Sequence, residues 1–367
     1  MVADIKSILI YFSALALTLF FLNFCSKNKP QNALSRLMLI LIVALPLSLL
    51  AGLKSTSVGT DSYNYAMIFH GIYRDSFWDC IFQSDYEVGF VLIVKILSTL
   101  FGKNDGLMFF LLECISLSIF IYSLLKLKDK INPCFCFLLY FFVFYHSSLN
   151  IIRQGLAIST VAFMITKLID KKYFQAFIIL LISSSIHFSS IIAVLFILVA
   201  MLLKKYQNLS IKRFWYGCIF ILLIGAFYFG WNYIISLPIF SSYVDYVDGT
   251  YDIGLGVFIL GIVYFAPLFL LCRKEIFGDY ETEVLFDISF LFIPIAFWGY
   301  FAEYATRLNL FPRVALIIFI PFLVKKIRIP LYRRLLTCFY IGLFTFEYIE
   351  NFLIFNQANA YPYLFNF

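Results

Sequence analysis

Charged side chains are scarce in this sequence. Lys, Arg, Asp and Glu together make up 13% of the 367 residues, whereas 63% are hydrophobic. Soluble domains carry roughly 25% charged residues, so the composition excludes a soluble globular protein. The longest polar stretch covers only residues 54–87, which leaves no separate soluble domain. We predict one transmembrane domain over residues 1–367, with outside loops at 54–87 and 236–252.

The sequence also lacks the patterns that mark nucleotide, metal or acyl-transfer chemistry. It contains no GxxxxGK[ST], GxGxxG, HExxH or GxSxG pattern and only three His residues. Its eight Cys residues are scattered, mostly within apolar runs, and none form a CxxC pair. We therefore expect no disulfide, no metal and no cofactor. The net charge of +7 comes mainly from short basic loops, which does not indicate nucleic acid.

Long apolar runs fill most of the chain. A membrane-spanning helix needs about 20 mostly apolar residues, and continuous rather than alternating runs indicate helices instead of a barrel. We predict an all-α, polytopic membrane bundle of about 12–13 transmembrane or re-entrant helices. The predicted helices cover residues 7–25, 35–53, 88–101, 106–125, 132–148, 150–168, 173–187, 188–203, 214–235, 253–271, 284–300, 308–324 and 334–350.

The distribution of Lys and Arg predicts the orientation. Cytoplasmic loops are enriched in these residues, so we place the basic loops inside and the intervening loops outside. Because loops 27–36 and 126–130 are both placed inside, and helix 35–53 leads outside, residues 88–125 must cross the membrane an odd number of times. Two apolar segments are visible there. We interpret the short segment 88–101 as re-entrant or interfacial; the alternative inverts the first two helices. The basic loops are 27–36, 126–130, 170–172, 204–213, 273–274 and 325–334.

Seven ionisable residues fall near the predicted outer face, away from the basic loops. Such residues are costly at membrane depth and mark functional sites. Their concentration at one face predicts a cavity open to that side, for a charged substrate. They are Asp61, Glu87, Arg153, His187, Glu303, Arg307 and Arg313.

Two of these residues suit phosphate binding and proton transfer. Asn150, Arg153 and Gln154 share one helical face, and an Arg fork fits phosphate. His187 lies among serines and could donate to a phosphate or carry a proton. The alternatives are an Arg that snorkels to the interface and a His that ties a helical hairpin.

Two further Arg residues stand at outer helix ends. Glu303 and Arg307 are spaced at i, i+4, which also allows a purely structural pair. Arg313 opens the next apolar run. With Arg153 and His187, these Arg residues would supply the positive charge that a lipid diphosphate needs.

The acidic residues Asp61 and Glu87 are the candidate general bases towards a sugar hydroxyl. The sequence does not decide between them. Asp61 could instead cap a short helix over residues 62–72, and Glu87 could be structural.

The outside loops mix aromatic rings with carboxylates, a combination that suits sugar binding. The alternative is the interfacial belt of Tyr and Trp that membrane proteins share. The candidate glycan-binding residues are Tyr63, Tyr65, Tyr243, Glu303 and Tyr304.

A series of short motifs runs in order from about residue 55 to the end of the chain. The motifs are Gly59-Thr-Asp-Ser-Tyr-Asn-Tyr65, Glu87-Val-Gly-Phe90, Ile152-Arg-Gln-Gly-Leu-Ala157, Lys171-Lys172, Ile186-His-Phe-Ser189, Arg307 with Arg313, and Ala360-Tyr-Pro-Tyr363. This ordered series resembles the EpsG-like branch of the Wzy class of polysaccharide repeat-unit polymerases.

The resemblance implies a GT-C-like glycosyltransferase in the bacterial inner membrane, with its site facing the periplasm. Its substrates would be polyprenyl-diphosphate-linked oligosaccharides, as donor and as acceptor, joined with inversion into O-antigen, capsule or exopolysaccharide. A chain-length regulator is a further candidate partner. Arg153, His187, Arg307 and Arg313 would stabilise the departing diphosphate, and Asp61 or Glu87 would take the acceptor proton. A flippase for the same lipids and a polysaccharide ligase are the alternatives; polar residues concentrated on one face disfavour transport.

Overall fold

The computed structural model describes residues 4–28, 32–82, 84, 86–205, 254–296, 298 and 303–366, with short stretches between 211 and 225. Within these residues, every regular element is helical, which confirms the predicted class. The predicted loop 236–252, with Tyr243, and much of the predicted helix 214–235 lie outside the described residues.

The principal helices follow the predicted apolar runs closely. The predicted loop 54–87 itself contains two helices, α3 and α4. The helices are α1 (Ile5–Lys27), α2 (Ala33–Leu53), α3 (Ser62–Arg74), α4 (Phe77–Phe82), α5 (Val88–Phe101), α6 (Asp105–Lys126), α7 (Pro133–Ser148), α8 (Ile152–Ile169), α9 (Tyr173–Ile186), α10 (Val194–Lys205), α11 (Gly254–Ile276), α12 (Tyr280–Phe290), α13 (Phe292–Ala296), α14 (Leu310–Lys326) and α15 (Pro330–Tyr348).

Five segments of the described residues are long and apolar enough to cross a membrane. These are α1, α2, α6, α8 and the segment Thr306–Lys326, which contains α14. Several shorter apolar helices pack beside them. Buried residues fill a central core whose middle is α14, in which Val314 to Phe319 are all 0% exposed. The chain is thus a multi-pass helical membrane protein.

The basic loops meet at one end of the bundle, which we call the basic end. There the ammonium nitrogen of Lys325 donates to the carbonyl oxygen of Asp129 at 2.8 Å. Lys130 pairs with Glu281 at 2.7 Å, and Lys128 donates to the carbonyl oxygen of Ser26 at 3.1 Å. These contacts join loops that the charge pattern had placed on the same side.

Close backbone packing of α2 and α6 defines the opposite end, which we call the site end. A Cβ atom on Gly106 would lie 2.6 Å from the Gly52 carbonyl oxygen, and one on Gly52 would lie 2.7 Å from the Cβ of Phe110. Neither position has space for a side chain. The last turn of α2 and the first turn of α6 therefore lie side by side.

Helix α5 begins and ends at the site end. Its 14 residues rise about 21 Å, less than the roughly 30 Å hydrocarbon core. Just beyond its C-terminus, Asp105 contacts His70 of α3 at 2.7 Å. Along α5, Lys95 donates to the Asp75 carbonyl oxygen at the end of α3, at 2.6 Å. These contacts favour the interfacial or re-entrant interpretation, which stays a prediction.

The C-terminal tail returns to the site end and supports the loop between α2 and α3. The Tyr363 hydroxyl donates to the Leu50 carbonyl at 2.8 Å, and the Gly59 amide donates to the Asn359 carbonyl at 2.9 Å. Gly59 has a φ of 99°, a left-handed conformation that favours glycine. The tail thus holds the turn that precedes Asp61.

Cysteine labelling tests this topology. In a cysteine-free background, Trp78→Cys and Lys103→Cys should react with a membrane-impermeant maleimide from the same side of sealed vesicles. Asp129→Cys, at the basic end, should react only from the other side. Labelling of positions 78 and 103 from opposite sides would show that α5 crosses the membrane.

Candidate active site

Three segments that are distant in sequence meet at the site end. Glu87 precedes α5, Arg153 lies in the first turn of α8, and His187 follows α9. One Glu87 carboxylate oxygen accepts from Arg153 Nη1 at 2.5 Å, and the other lies 3.0 Å from His187 Nδ1. We call these three residues the Glu87–Arg153–His187 cluster. Their side chains are 18%, 24% and 13% exposed, so water reaches the cluster but does not fill it.

The contacts of Glu87 orient the His187 ring. The Phe188 amide donates to the same Glu87 oxygen at 2.9 Å, which fixes the turn after α9. Since an ionised carboxylate only accepts, Nδ1 of His187 carries a proton. Nε2 is thereby left to accept or, in the imidazolium, to donate.

Glu87 is held in its charged form. Burial acts to raise the pKa of this carboxyl group, but the hydrogen bond from His187, the Arg153 charge and the Phe188 amide together lower it to about 2. At neutral pH, Glu87 is therefore an ionised anchor and a weak base.

Aromatic rings complete the setting of Arg153. Its guanidinium carbon lies 5.0 Å from the Tyr86 ring centre and 5.9 Å from that of Phe90, within range of cation–π attraction. Nε lies 3.5 Å from the Tyr65 hydroxyl. Among the described residues, no protein acceptor engages Nη2, so one edge of the fork remains available for an anion.

Two glycines permit the close approach that assembles the cluster. A Cβ atom on Gly89 would lie 2.7 Å from the Ser185 carbonyl oxygen, and one on Gly155 would lie 2.8 Å from the Ser148 Cβ. Gly89 lets the start of α5 contact the end of α9, which brings Glu87 to His187. Gly155 lets α8 pack against the end of α7.

Asp61 lies near the cluster, at the start of α3. The side-chain oxygen of Asn150 accepts from the Asp61 amide at 2.7 Å and from the Thr60 hydroxyl at 2.9 Å. Asn150 thereby ties the Asp61 turn to the segment that carries Arg153. Asp61 occupies the N-cap position, but its side chain makes no capping hydrogen bond, so the alternative role as a capping carboxylate is not observed. The Asp61 residue is half-buried.

Arg307 lies beside the cluster and Arg313 lies deeper in the bundle. Gln154 donates to the Arg307 carbonyl oxygen at 2.9 Å, which sets the exposed Arg307 next to the first turn of α8. Arg313 instead forms an ion pair with the buried carboxylate of Glu347. It also donates to the Tyr264 hydroxyl at 2.7 Å.

The Arg313 pair revises one sequence prediction. The sequence predicts that Arg313 binds diphosphate, whereas in this structure Glu347 already balances its charge. Sequence reasoning missed Glu347. The available signal was a pair of acidic residues, Glu347 and Glu350, within the apolar run 334–350.

The predicted sugar-binding residues occupy different environments. Tyr63 is 63% exposed, whereas Tyr65 is 6% exposed and packs against Phe69 and Phe90. The Tyr65 ring cannot stack on a sugar, since both of its faces are covered by protein. Glu303 and Tyr304 begin a 3-10 segment, Glu303–Asn309, where the sequence predicted an α-helical spacing of Glu303 and Arg307.

The pairing of Glu87 predicts a pH-dependent stability difference. Glu87→Gln should lower the free energy of unfolding at pH 7 by about 2–3 kcal/mol. This is less than the roughly 3–5 kcal/mol of a fully buried pair, because these side chains retain some water contact. Since folding depresses the pKa of Glu87, its stabilisation is complete above the ordinary value of 4.5 and is lost as pH falls towards about 2. Thermal unfolding in detergent should show the difference shrinking over that range. A constant difference would contradict the assignment.

The comparison with known families covers almost the whole chain. The model of the EpsG family matches residues 37–365, a range that contains Asp61 and the Glu87–Arg153–His187 cluster. No curated protein matches the chain significantly, and no solved structure does. The chain belongs to the EpsG family, and family and architecture together support a membrane protein of polysaccharide polymerisation.

Proposed function

We propose that this protein is a glycosyltransferase that polymerises polyprenyl-diphosphate-linked oligosaccharide repeat units at the outer face of the cytoplasmic membrane. The observation that carries the proposal is the placement of Arg153. Glu87 and Tyr86 fix its guanidinium group, and no described residue accepts from Nη2. The side chain lies at the end of the bundle opposite the basic loops. The positive-inside rule puts those loops in the cytoplasm, and hence the site end in the periplasm or outside.

The donor diphosphate is the leaving group in this reaction. The acceptor hydroxyl oxygen forms a bond to the anomeric carbon of the donor glycan, and the bond from that carbon to the diphosphate oxygen breaks with its electron pair. Negative charge accumulates on the diphosphate, where Arg153 Nη2 and the exposed Arg307 can stabilise it. In its imidazolium form, His187 can also donate from Nε2 to the same oxygens while Glu87 accepts from Nδ1.

We assign the general base to Asp61 in preference to Glu87. Glu87 accepts from Arg153, His187 and the Phe188 amide, and its low pKa makes it a poor proton acceptor. No described residue forms an ion pair with Asp61. Its carboxylate can take the hydroxyl proton as the new glycosidic bond forms. Attack from the face opposite the diphosphate inverts the anomeric configuration.

Arg153→Ala should abolish polymerisation while the protein still inserts into the membrane. Loss of a positioned cation at developing charge costs about 10²–10³-fold in rate. The measurement is the rate at which purified protein in liposomes extends a lipid-linked repeat unit. The matched control is Arg333→Ala, an exposed Arg of α15 near the basic end, which should retain the wild-type rate. Normal chain lengths from Arg153→Ala would remove Arg153 from the mechanism.

The two candidate bases make different predictions. Asp61→Asn should reduce the polymerisation rate by about 10²–10⁴-fold and leave thermal stability within about 0.5 kcal/mol of wild type. Glu87→Gln should affect stability as well as rate, because it leaves Arg153 without its partner. A rate for Asp61→Asn near that of wild type, measured in the same liposome assay, would transfer the role to another group.

A further inference from the structure

We propose that a cleft beside α3 binds the terminal sugars of the acceptor oligosaccharide. The inference rests on the proposed function and adds a sugar-binding site to it. The cleft has a volume of about 720 Å³, within the roughly 300–1,000 Å³ of small-molecule sites. One face of α3 forms its floor, and α4 together with Ser84 and Tyr86 forms its wall. Six lining residues carry the argument: Asn64, Gly71, Asp75, Asp79, Ser84 and Tyr86.

The lining suits sugar hydroxyls and disfavours a diphosphate. Asn64, Ser84 and the carboxylates of Asp75 and Asp79 offer hydrogen-bond acceptors, and no Lys or Arg lies among the described residues that line the cleft. Asp79 accepts from the Ser76 hydroxyl at 2.6 Å. The exposed pair of Asp75 with Arg74, at 3.3 Å, is weak in water. The glycan part of the substrate therefore fits here better than its charged end.

The cleft adjoins the proposed catalytic groups at two points. Tyr86 lines the cleft, and its ring also lies 5.0 Å from the Arg153 guanidinium. A diphosphate on Arg153 and sugars in the cleft would thus lie on either side of one ring. At the other point, Asn64 follows Asp61 by three residues, about 4.5 Å along the helix and on a similar face. A sugar bound beside Asn64 can present its hydroxyl to Asp61, which is the position of the acceptor.

Gly71 provides an independent indication that the space is kept open. A Cβ atom at this helical position would meet nothing within 4 Å, so no protein neighbour requires glycine there. Glycine inside a helix costs about 1 kcal/mol relative to alanine. The floor of the cleft thus carries a glycine, the smallest residue, although glycine lowers the stability of the helix.

A substitution that fills the cleft tests the sugar site separately from the proposed function. The probes are polyprenyl diphosphate, which reports on the Arg153 site, and the free repeat-unit oligosaccharide from the producing strain, which carries no lipid or phosphate. Both are titrated against purified full-length protein, with thermal stabilisation as the readout. Gly71→Leu should weaken oligosaccharide binding at least tenfold and leave polyprenyl diphosphate binding within twofold of wild type. Gly342→Leu is the matched control, since a Cβ there also meets nothing within 4 Å and α15 is remote from the cleft in sequence.

The outcomes are distinct. Polyprenyl diphosphate that fails to stabilise the wild type counts against the proposed function. If polyprenyl diphosphate stabilises the protein but the oligosaccharide binds equally to wild type and Gly71→Leu, the proposed sugar site in the cleft is wrong. If Gly71→Leu does not fold, Asp75→Asn removes a carboxylate without adding bulk and should weaken oligosaccharide binding; unchanged affinity overturns the cleft equally.

In the liposome assay, the kinetics distinguish acceptor from donor sugars. Gly71→Leu should raise the KM for the acceptor at least tenfold with kcat within about twofold. A rise confined to the KM of the donor would overturn the assignment to the acceptor.

Discussion

The ion pair between Glu87 and Arg153 is the interaction on which the site depends. An arginine side chain at the end of a membrane bundle is costly unless a partner balances its charge. Glu87 supplies that partner and, through its second oxygen, also holds His187 and the Phe188 amide. One carboxylate thus fixes three chain segments. Because it remains ionised, these groups keep their positions before any substrate arrives.

Backbone contact makes this pairing possible. The segments that carry Glu87 and His187 can meet only because Gly89 lacks a Cβ atom against Ser185, and Gly155 does the same for α8 against Ser148. Helix association in membranes depends on such close packing, since lipid provides no hydrophobic drive between helices. The glycines in the short motifs therefore have a steric role, and the polar residues beside them have the chemical one.

Three contacts set the position of the turn that carries Asp61. Asn150 holds its backbone amide, and the C-terminal tail holds the preceding turn through Gly59. Lys54 also holds this turn, because its buried ammonium group donates to the Val58 carbonyl oxygen at 2.9 Å. Preorganisation of this kind is what a general base requires, because a small displacement from its target lowers the rate strongly.

The sequence by itself determined the helices, the two-sided charge pattern and the candidate residues, because apolar length and loop charge are local properties that the membrane imposes directly. It also placed Asp61, Glu87, Arg153 and His187 at one end. It could not show that Glu87 is paired with Arg153 and His187, find Glu347 as the partner of Arg313, or show that the Tyr65 ring is buried. Those outcomes depend on which helices contact each other. Only the tertiary structure decided them, since a side chain's charge and exposure are set by neighbours distant in the chain.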